Sequence, residues 1–233
     1  MAETQRDDEM ARLAVAPVRD GMIVGLGTGR AASRGIVALG ARVRDEGMKI
    51  HTVATSAASA DLARSVGLTV LEMERTPRVD YLFDGADEVA PDLSMIKGRG
   101  GAMTREKIVA HAAGLRVYLV QRDKLVDHLG LRCPLPVEVM AYGLTWVREH
   151  LAGQGLRGEV RHADGRVYHT DNGNLVLDVQ LRHEHDGAAV DRLLNDLPGV
   201  VGHGLFLHEA DEVLVEEAGA SPGAGVERLK RTT

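Results

Sequence analysis

Short apolar segments alternate with segments of helical periodicity through the first half of the chain, and this alternation restricts the fold more than any other feature. The apolar segments predict strands at residues 22–24, 50–54, 69–71, 79–83 and 116–120. Helix-compatible stretches such as 31–43 separate them. Strands that alternate with helices at this spacing form parallel sheets with right-handed crossovers and helices on both faces. The sequence therefore predicts an α/β fold with a doubly wound, mostly parallel sheet.

A different order of elements follows residue 130. The pattern strand–helix–strand–strand–helix–strand covers residues 131–206 and predicts a second, smaller ferredoxin-like α+β domain. The main α/β domain then comprises residues 1–130 together with 207–233, and the apolar run 213–215 returns to its sheet. The run 227–231 is interpreted as a solvated terminal stretch.

Charge and composition exclude several classes of function. A net charge of −6 and a pI near 5.9 argue against nucleic-acid binding, because no positive excess is available to displace counterions from phosphates. The single cysteine, Cys133, excludes an internal disulfide framework and a cysteine-based zinc site. His183 and His185 lie beside a predicted turn, so we expect a solvated loop there and no metal ion. The acidic N-terminus and the lack of an apolar run of roughly 20 residues predict a cytoplasmic protein without a membrane partner.

A glycine-rich turn follows the first predicted strand. It reads Gly25-Leu26-Gly27-Thr28-Gly29-Arg30, and the helix behind it offers backbone N–H groups and a positive dipole end to an anion. A dinucleotide cofactor is disfavoured, because the second strand ends in Thr55-Ser56 without the acidic residue that would hold ribose hydroxyls. The turn therefore indicates an anion site at the carboxyl end of the sheet, where ligands of such folds bind.

Two further segments carry charged side chains beside glycines. Asp84, Asp87 and Glu88 follow the fourth predicted strand, and such crowding of carboxylates requires compensation by a ligand, a lysine or a metal. The loop 96–102 combines Lys97 with glycines, which lets an ammonium group and backbone N–H groups converge on one oxyanion. Glu106 begins the next helix. A carboxylate base, a lysine and N–H donors together are what proton abstraction beside a carbonyl requires.

The order and spacing of many segments resemble the type A family of ribose-5-phosphate isomerases. The matching motifs lie at residues 25–29, 55–56, 84–88, 96–98, 104–109, 134–139, 171–174 and 197–201. The resemblance implies a cofactor-free aldose–ketose isomerase of the pentose phosphate pathway. It also implies a small-molecule sugar phosphate as substrate and a homodimer or homotetramer.

The resemblance also implies roles for individual residues. Glu106 matches the base that moves a proton between C1 and C2 through a cis-enediolate, Lys97 matches the lysine that stabilises the enediolate oxygen, and Asp84 matches the aspartate that handles hydroxyl protons during ring opening. The substrate-binding positions correspond to Thr28, Gly29, Arg30, Ala31, Asp84, Gly85, Ala86, Asp87, Lys97, Gly98, Arg99, Gly100 and Lys124.

Departures from the family pattern cluster where the substrate phosphate binds. Arg30-Ala31 replaces Ser-Thr, Asp7 aligns with a lysine, Arg99 replaces a glycine, and Asp123 replaces a serine. Arginine holds phosphate or carboxylate through a planar fork. One hypothesis is that Arg30 and Arg99 rebuild the anion pocket; the other is that both point to solvent. Two alternative functions also follow, namely a related isomerase of another sugar phosphate or sugar acid, and a sugar-phosphate sensor without catalysis.

Overall fold

The computed structural model describes residues 8–217 and 225–231, so Asp7 lies outside the described residues. The chain divides into two compact units. The first unit comprises Met1–Ala86, Arg105–Lys124 and Glu209–Thr233, and the second comprises Asp87–Thr104 and Leu125–His208. Within the described ranges, no helix combines the length and the apolar character that a membrane-spanning segment needs.

The first unit is built on a mainly parallel sheet. Its strands are Ile23–Leu26 (β1), His51–Ala54 (β2), Tyr81–Gly85 (β3), Arg116–Gln121 (β6), Glu212–Glu216 (β14) and Glu227–Lys230 (β15). Its helices are Glu9–Val15 (α1), Arg30–Glu46 (α2), Ala57–Ser65 (α3) and Met103–Ala112 (α4), of which α4 begins in the second unit's segment. The spatial order is β15-β14-β6-β3-β1-β2, and all pairs are parallel except β14 with β15. The predicted α/β fold with a mainly parallel central sheet is confirmed.

The strand order places a topological switch point between β1 and β3. From β1 the chain continues to β2 on one side of β1, and later returns to β3 on its other side. In open α/β sheets, ligands bind outside the carboxyl ends of the strands at such a point. The residues that follow β1 and end β3 are therefore the first place to look for a site in this unit.

Close packing holds α2 against this sheet. Phe83 of β3 is fully buried, and a Cβ atom added at Gly35 of α2 would lie 2.6 Å from its ring. Ile36 and Leu39 from the same helix are also fully buried. Burial of each such side chain contributes on the order of 2 kcal/mol to folding. The glycine thus lets the helix approach the sheet and fixes where its N-terminus lies.

Two details of the predicted sheet are wrong. Residues 69–71 form no strand of their own, because only Val70 bridges to Thr52 of β2. The run 227–231, interpreted as solvated, instead pairs its first four residues with β14 as β15. Arg228 and Lys230 both form ion pairs with Glu212 of β14, which lets a charged segment serve as the sheet edge.

Acid should destabilise this unit through Asp211. Burial alone would raise the pKa of its carboxyl group, but hydrogen bonds from the side chain and backbone of Arg116 outweigh burial and lower the pKa below the ordinary 3.8. A lowered pKa in the folded state adds stability above the unfolded value, and that stability is lost as the pH falls. We expect Asp211→Asn to have a lower urea midpoint than the wild type at pH 6, and we expect this difference to shrink as the pH falls below the ordinary value of 3.8. The exposed Asp61→Asn should show no such difference, and a constant gap between Asp211→Asn and the wild type would contradict the linkage.

The second unit contains an antiparallel sheet covered by two helices. Within residues 125–208, all of which are described, the strands are Leu135–Val139 (β7), Gly158–Val160 (β8), His162–Ala163 (β9), Arg166–Val167 (β10), Leu175–Val179 (β11), Val200–His203 (β12) and Leu205–Phe206 (β13). The helices are Leu144–Gly153 (α5) and Gly187–Asp196 (α6). The main sheet has the order β12-β7-β11-β8, and β9 pairs with β10.

The segment 87–104 belongs to the second unit rather than to the first. Its strands Glu88–Val89 (β4) and Met95–Ile96 (β5) form an antiparallel sheet with β13, so their hydrogen bonds tie them to residues of the second unit. The predicted boundaries at 130/131 and 206/207 therefore differ from the observed division, which falls at 86/87, 104/105, 124/125 and 208/209. No strand is predicted from the sequence of this segment, and its position in the chain alone included it in the main domain.

Candidate active site

The glycine turn after β1 wraps around the carboxylate of Asp84. Backbone N–H groups of Thr28 and Gly85 donate to Asp84 Oδ1 at 2.9 and 2.7 Å. A Cβ atom at position 27 would lie 2.1 Å from that oxygen, so only glycine fits there. The two strand ends at the switch point thus hold one fully buried carboxylate at a fixed place.

A cluster of hydroxyl groups fixes the same turn from the side of β2 and α3. Thr28 Oγ1 lies 2.8 Å from Thr55 Oγ1 and donates to Ser56 Oγ at 2.9 Å, while Ser59 Oγ donates to the Gly27 carbonyl at 2.7 Å. Thr28 is a predicted substrate ligand, but its hydroxyl donates its hydrogen bond to another side chain of the protein. The Thr55-Ser56 motif orients the turn.

Helix α2 begins directly after this turn. Gly29 precedes the helix with φ = +95°, a left-handed value that favours glycine, and it provides no side-chain cap. The first-turn N–H groups of Arg30 and Ala31 are thus not satisfied by a capping side chain, which suits anion binding. Arg30 itself is exposed.

Three buried carboxylates of the first unit, those of Asp84, Glu106 and Glu209, act electrostatically on one tyrosine, Tyr118. Glu106 lies in the first turn of α4 and is 4% exposed, while Asp84 is fully buried. Tyr118 pairs with Asp84 across β3 and β6. Burial raises the pKa of Tyr118 far above its ordinary value, and the charges of Asp84, Glu106 and Glu209 raise it further. The predicted base and the predicted ring-opening aspartate therefore share one buried environment.

Lys124 lies in a short 3-10 helix, Arg122–Lys124, that follows β6. Its side chain is 28% exposed, and its Nζ atom lies 3.7 Å from a carboxylate oxygen of Asp123. The residue that departs from the family's serine is thus an ion-pair partner of the predicted substrate-binding lysine. In the first unit, Thr28 and Gly29 follow β1, Arg30 begins α2, Lys124 follows β6, and Asp84 is the last residue but one of β3.

The crowded carboxylates of residues 84–88 are compensated by backbone amides. Asp87 Oδ2 accepts the N–H of Arg99 at 2.9 Å. Glu88, which is fully buried, accepts N–H groups of Gly130 and Cys133 at 2.6 and 2.8 Å, and a third from Arg132. The acidic run therefore does not act as one cluster, because its members are held by different loops. Within the described ranges, no group of three or more acidic, histidine or cysteine side chains could hold a metal ion.

Lys97 is a buried cation of the second unit. The residue is 2% exposed, its N–H donates to the Gly204 carbonyl at 2.8 Å, and its Nζ atom lies 5.7 Å from the centre of the Phe206 ring. Gly98 follows with φ = +96°, and a Cβ atom there would lie 2.8 Å from Met103. The lysine is thus held by β13 on one side and by a glycine-only turn on the other.

The carbonyl groups of the glycine loop are held by two residues that the sequence analysis missed. Arg161 Nη1 donates to the carbonyls of Gly98 and Arg99, both at 2.9 Å. Tyr168 Oη donates to the Gly100 carbonyl at 3.0 Å. No sequence signal marks these contacts, because they join positions more than 60 residues apart.

A buried glutamate anchors the start of α4. Glu138 of β7 accepts hydrogen bonds from Thr170 Oγ1 at 2.7 Å and from Asn174 Nδ2 at 2.9 Å, and also from Thr104 Oγ1. Thr104 precedes Glu106 by two residues in the same helix. The motifs at 134–139 and 171–174 therefore meet in one hydrogen-bond network that fixes the first turn of α4.

The thiol of Cys133 is not activated as a nucleophile. Burial raises the pKa of the Cys133 thiol, and the charge of Glu88 raises it further. A reactive cysteine requires a lowered pKa. Cys133 is therefore a structural thiol.

Comparisons with known proteins agree with one another. Residues 51–219 match the family model of ribose 5-phosphate isomerase A (phosphoriboisomerase A). Ribose-5-phosphate isomerase A of Thermomicrobium roseum is 45% identical over 217 residues, which are 92% of this chain and 91% of that protein. The corresponding protein of Jannaschia sp. is 44% identical, over 89% of this chain and 82% of its own length.

Solved structures give the same assignment. Ribose 5-phosphate isomerase A of Methanocaldococcus jannaschii superposes with a TM-score of 0.88 at 37% identity, covering 99% of this chain and 100% of that one. A D-ribose-5-phosphate isomerase in complex with phospho-erythronic acid gives a TM-score of 0.89 at 33% identity, covering 99% of each chain. The chain therefore belongs to the ribose 5-phosphate isomerase A family and is an enzyme of the aldose–ketose isomerase class.

Proposed function

We propose that this enzyme interconverts ribose 5-phosphate and ribulose 5-phosphate through an enediolate, with Glu106 as the base. The observation that carries the proposal is the buried Glu106 carboxylate in the first turn of α4, which shares its environment with the buried Asp84. The names of the relatives supply the substrate. A sensor without catalysis would have no need for a buried base.

The proposed reaction begins with ring opening. Asp84, held by two backbone N–H groups, exchanges a proton with the ring and hydroxyl oxygens of the sugar. Glu106 then removes the C2 proton of the open-chain aldose and returns it to C1, while the O2 proton moves to O1. A ketose results, and no atom is gained or lost.

Negative charge develops on the substrate oxygens in the enediolate. We assign its stabilisation to the ammonium group of Lys97 and to the N–H groups of the loop behind it, with Gly98 and Gly100 as the donors. Fixed donors of this kind act in the transition state more than in the ground state. The remaining predicted ligands then bind the sugar and its phosphate: Thr28, Gly29, Arg30, Ala31, Gly85, Ala86, Asp87, Arg99 and Lys124.

Substitution of Arg30 and Arg99 distinguishes two hypotheses for phosphate binding, namely that these arginines form part of the anion pocket or that they point to solvent. Both residues are exposed, so each side chain is able either to reach the phosphate or to remain in solvent. If they rebuild the anion pocket, replacing both by alanine raises the KM for ribose 5-phosphate. An unchanged KM would assign the phosphate to the α2 N-terminus and Lys124 instead.

Further properties implied by the resemblance belong to the same proposal. They are the cytoplasmic location, the homodimeric or homotetrameric assembly, and the ferredoxin-like nature of the second unit. The last is supported by the main sheet and its helices, which follow the chain order β7-α5-β8-β11-α6-β12 once the separate β9-β10 pair is set aside, and by the antiparallel strand order β12-β7-β11-β8.

A panel of sugars tests the proposed substrate. The purified enzyme is assayed with ribose 5-phosphate, other aldose phosphates and ribose without phosphate. We expect kcat/KM to be highest for ribose 5-phosphate and at least about 100-fold lower for ribose, because the phosphate supplies binding energy that orients the reacting carbons. A higher value for another sugar phosphate would instead support a related isomerase.

A further inference from the structure

The loop that carries Lys97 contains a turn whose central peptide has two accessible orientations. The Gly101 N–H donates to the Gly98 carbonyl at 2.9 Å, which closes a β-turn over residues 98–101. Turn types I and II share this hydrogen bond but differ by a flip of the central peptide, here the one joining Arg99 to Gly100. Type II requires a positive φ at the third residue, and Gly100 is a glycine that permits it. The closing bond alone therefore does not fix this peptide.

Arg161 selects one of the two orientations. Its Nη1 atom donates to the Arg99 carbonyl, so the Gly100 N–H, on the opposite side of that trans peptide, points away from Arg161. Gly100 is not among the glycines with positive φ, so the turn is not of type II. The Tyr168 hydroxyl holds the next carbonyl, that of Gly100, and its ring lies against Gly101.

Arg161 is itself held rigidly. Its Nε atom donates to Asp178 Oδ2 at 2.9 Å and its Nη2 atom to Oδ1 at 2.5 Å, while its side chain is only 14% exposed. The guanidinium group also lies 5.8 Å from the centre of the Tyr168 ring. Such a bidentate pair leaves the Nη1 edge directed at the loop. A lysine at this position has one ammonium group and no planar fork.

We propose that Arg161 is a positioning residue for the isomerisation, which fixes the Gly100 N–H as an oxyanion donor beside Lys97; this inference rests on the proposed function. Tyr168 supports the same orientation. Neither residue donates to the substrate. Their effect is carried by the peptide that they hold, so it falls on the transition state rather than on substrate binding.

The test is steady-state kinetics of ribose 5-phosphate isomerisation with phospho-erythronic acid as a competing anion. Arg161→Ala should lower kcat about 10- to 100-fold, short of the full loss of an oxyanion donor, and change KM less than about threefold. Variants with a lower kcat should have a higher Ki for phospho-erythronic acid, because the carboxylate of this compound carries negative charge where the enediolate of the substrate would carry it. Added ethylguanidinium should restore part of the kcat that Arg161→Ala loses. Arg161→Lys should have a lower kcat than the wild type.

Further variants keep the test decisive. Tyr168→Phe removes a single hydroxyl and should lower kcat about three- to tenfold with an unchanged Tm, so it decides the matter if Arg161→Ala fails to fold. Arg166→Ala, an exposed arginine in β10, is the matched control and should retain wild-type kcat. A kcat within twofold of wild type in Tyr168→Phe and in any folded Arg161→Ala or Arg161→Lys would overturn the inference and leave the proposed function intact. An inactive wild type would overturn both.

Discussion

Glu106→Gln should lower the kcat of isomerisation by about three orders of magnitude, which is the middle of the range for loss of a general base. The KM should change less than about threefold, because glutamine has nearly the same shape and keeps its hydrogen-bonding oxygen. Glutamine has no basic oxygen at neutral pH, so the proton at C2 has no acceptor. Initial rates with ribose 5-phosphate over a range of concentrations measure both quantities.

Glu209→Gln is the matched control for this substitution. Glu209 is also a buried glutamate of the first unit, 8% exposed, and its Oε1 atom lies 3.2 Å from His111 Nε2. Its charge also acts on Tyr118, but it is not assigned a role in the proposed reaction, so this variant should keep kcat near that of wild type. A Glu106→Gln enzyme that retains more than a tenth of wild-type kcat would show that another group is the base.

Lys97→Met should lower kcat by about 100- to 1,000-fold, as expected when a charged donor to a developing oxyanion is removed. Methionine keeps the length and the apolar contact with Phe206, so the loop should stay folded, and only the ammonium group is lost. Both kcat and Tm are measured, because kcat reports the loss of the reaction and Tm reports any loss of folding stability.

The exposed Lys49→Met provides the comparison for loss of charge alone, and it should leave kcat unchanged. If Lys97→Met lowers Tm while the folded fraction turns over at the wild-type rate, Lys97 is a structural cation and the oxyanion requires another partner.

Runs of apolar residues predicted the central sheet, because each buried strand is apolar over its own length and is recognised without reference to its neighbours. β1, β3 and β6 are fully or mostly buried strands of apolar residues, and the glycines after β1 mark the turn. The same patterns failed at the sheet edges. β15 forms because its cations meet Glu212 of β14, and no property of residues 227–231 alone specifies that partner.

The candidate site divides in the same way. Asp84, Lys97 and Glu106 became candidates from the sequence because each lies beside a glycine turn or a helix start and matches a family motif. The residues that hold the Lys97 loop were not, because Arg161 reaches Gly98 across 63 positions of sequence. Likewise, the acidic run 84–88 suggested a ligand, a lysine or a metal as compensation, whereas backbone amides from separate loops hold Asp84, Asp87 and Glu88. Contacts with backbone N–H groups are not predictable from residue types, because every residue except proline has such a group.

The central claim, that the Glu106 carboxylate carries hydrogen between C1 and C2, is tested most directly by isotope exchange in D2O. Proton NMR of pentose phosphates incubated with the wild-type enzyme should show deuterium entering C2 of the aldose or C1 of the ketose. Glu106→Gln at the same concentration should show no measurable exchange while still binding ribose 5-phosphate in a thermal-shift titration. Exchange by Glu106→Gln at a rate comparable to wild type would contradict the account.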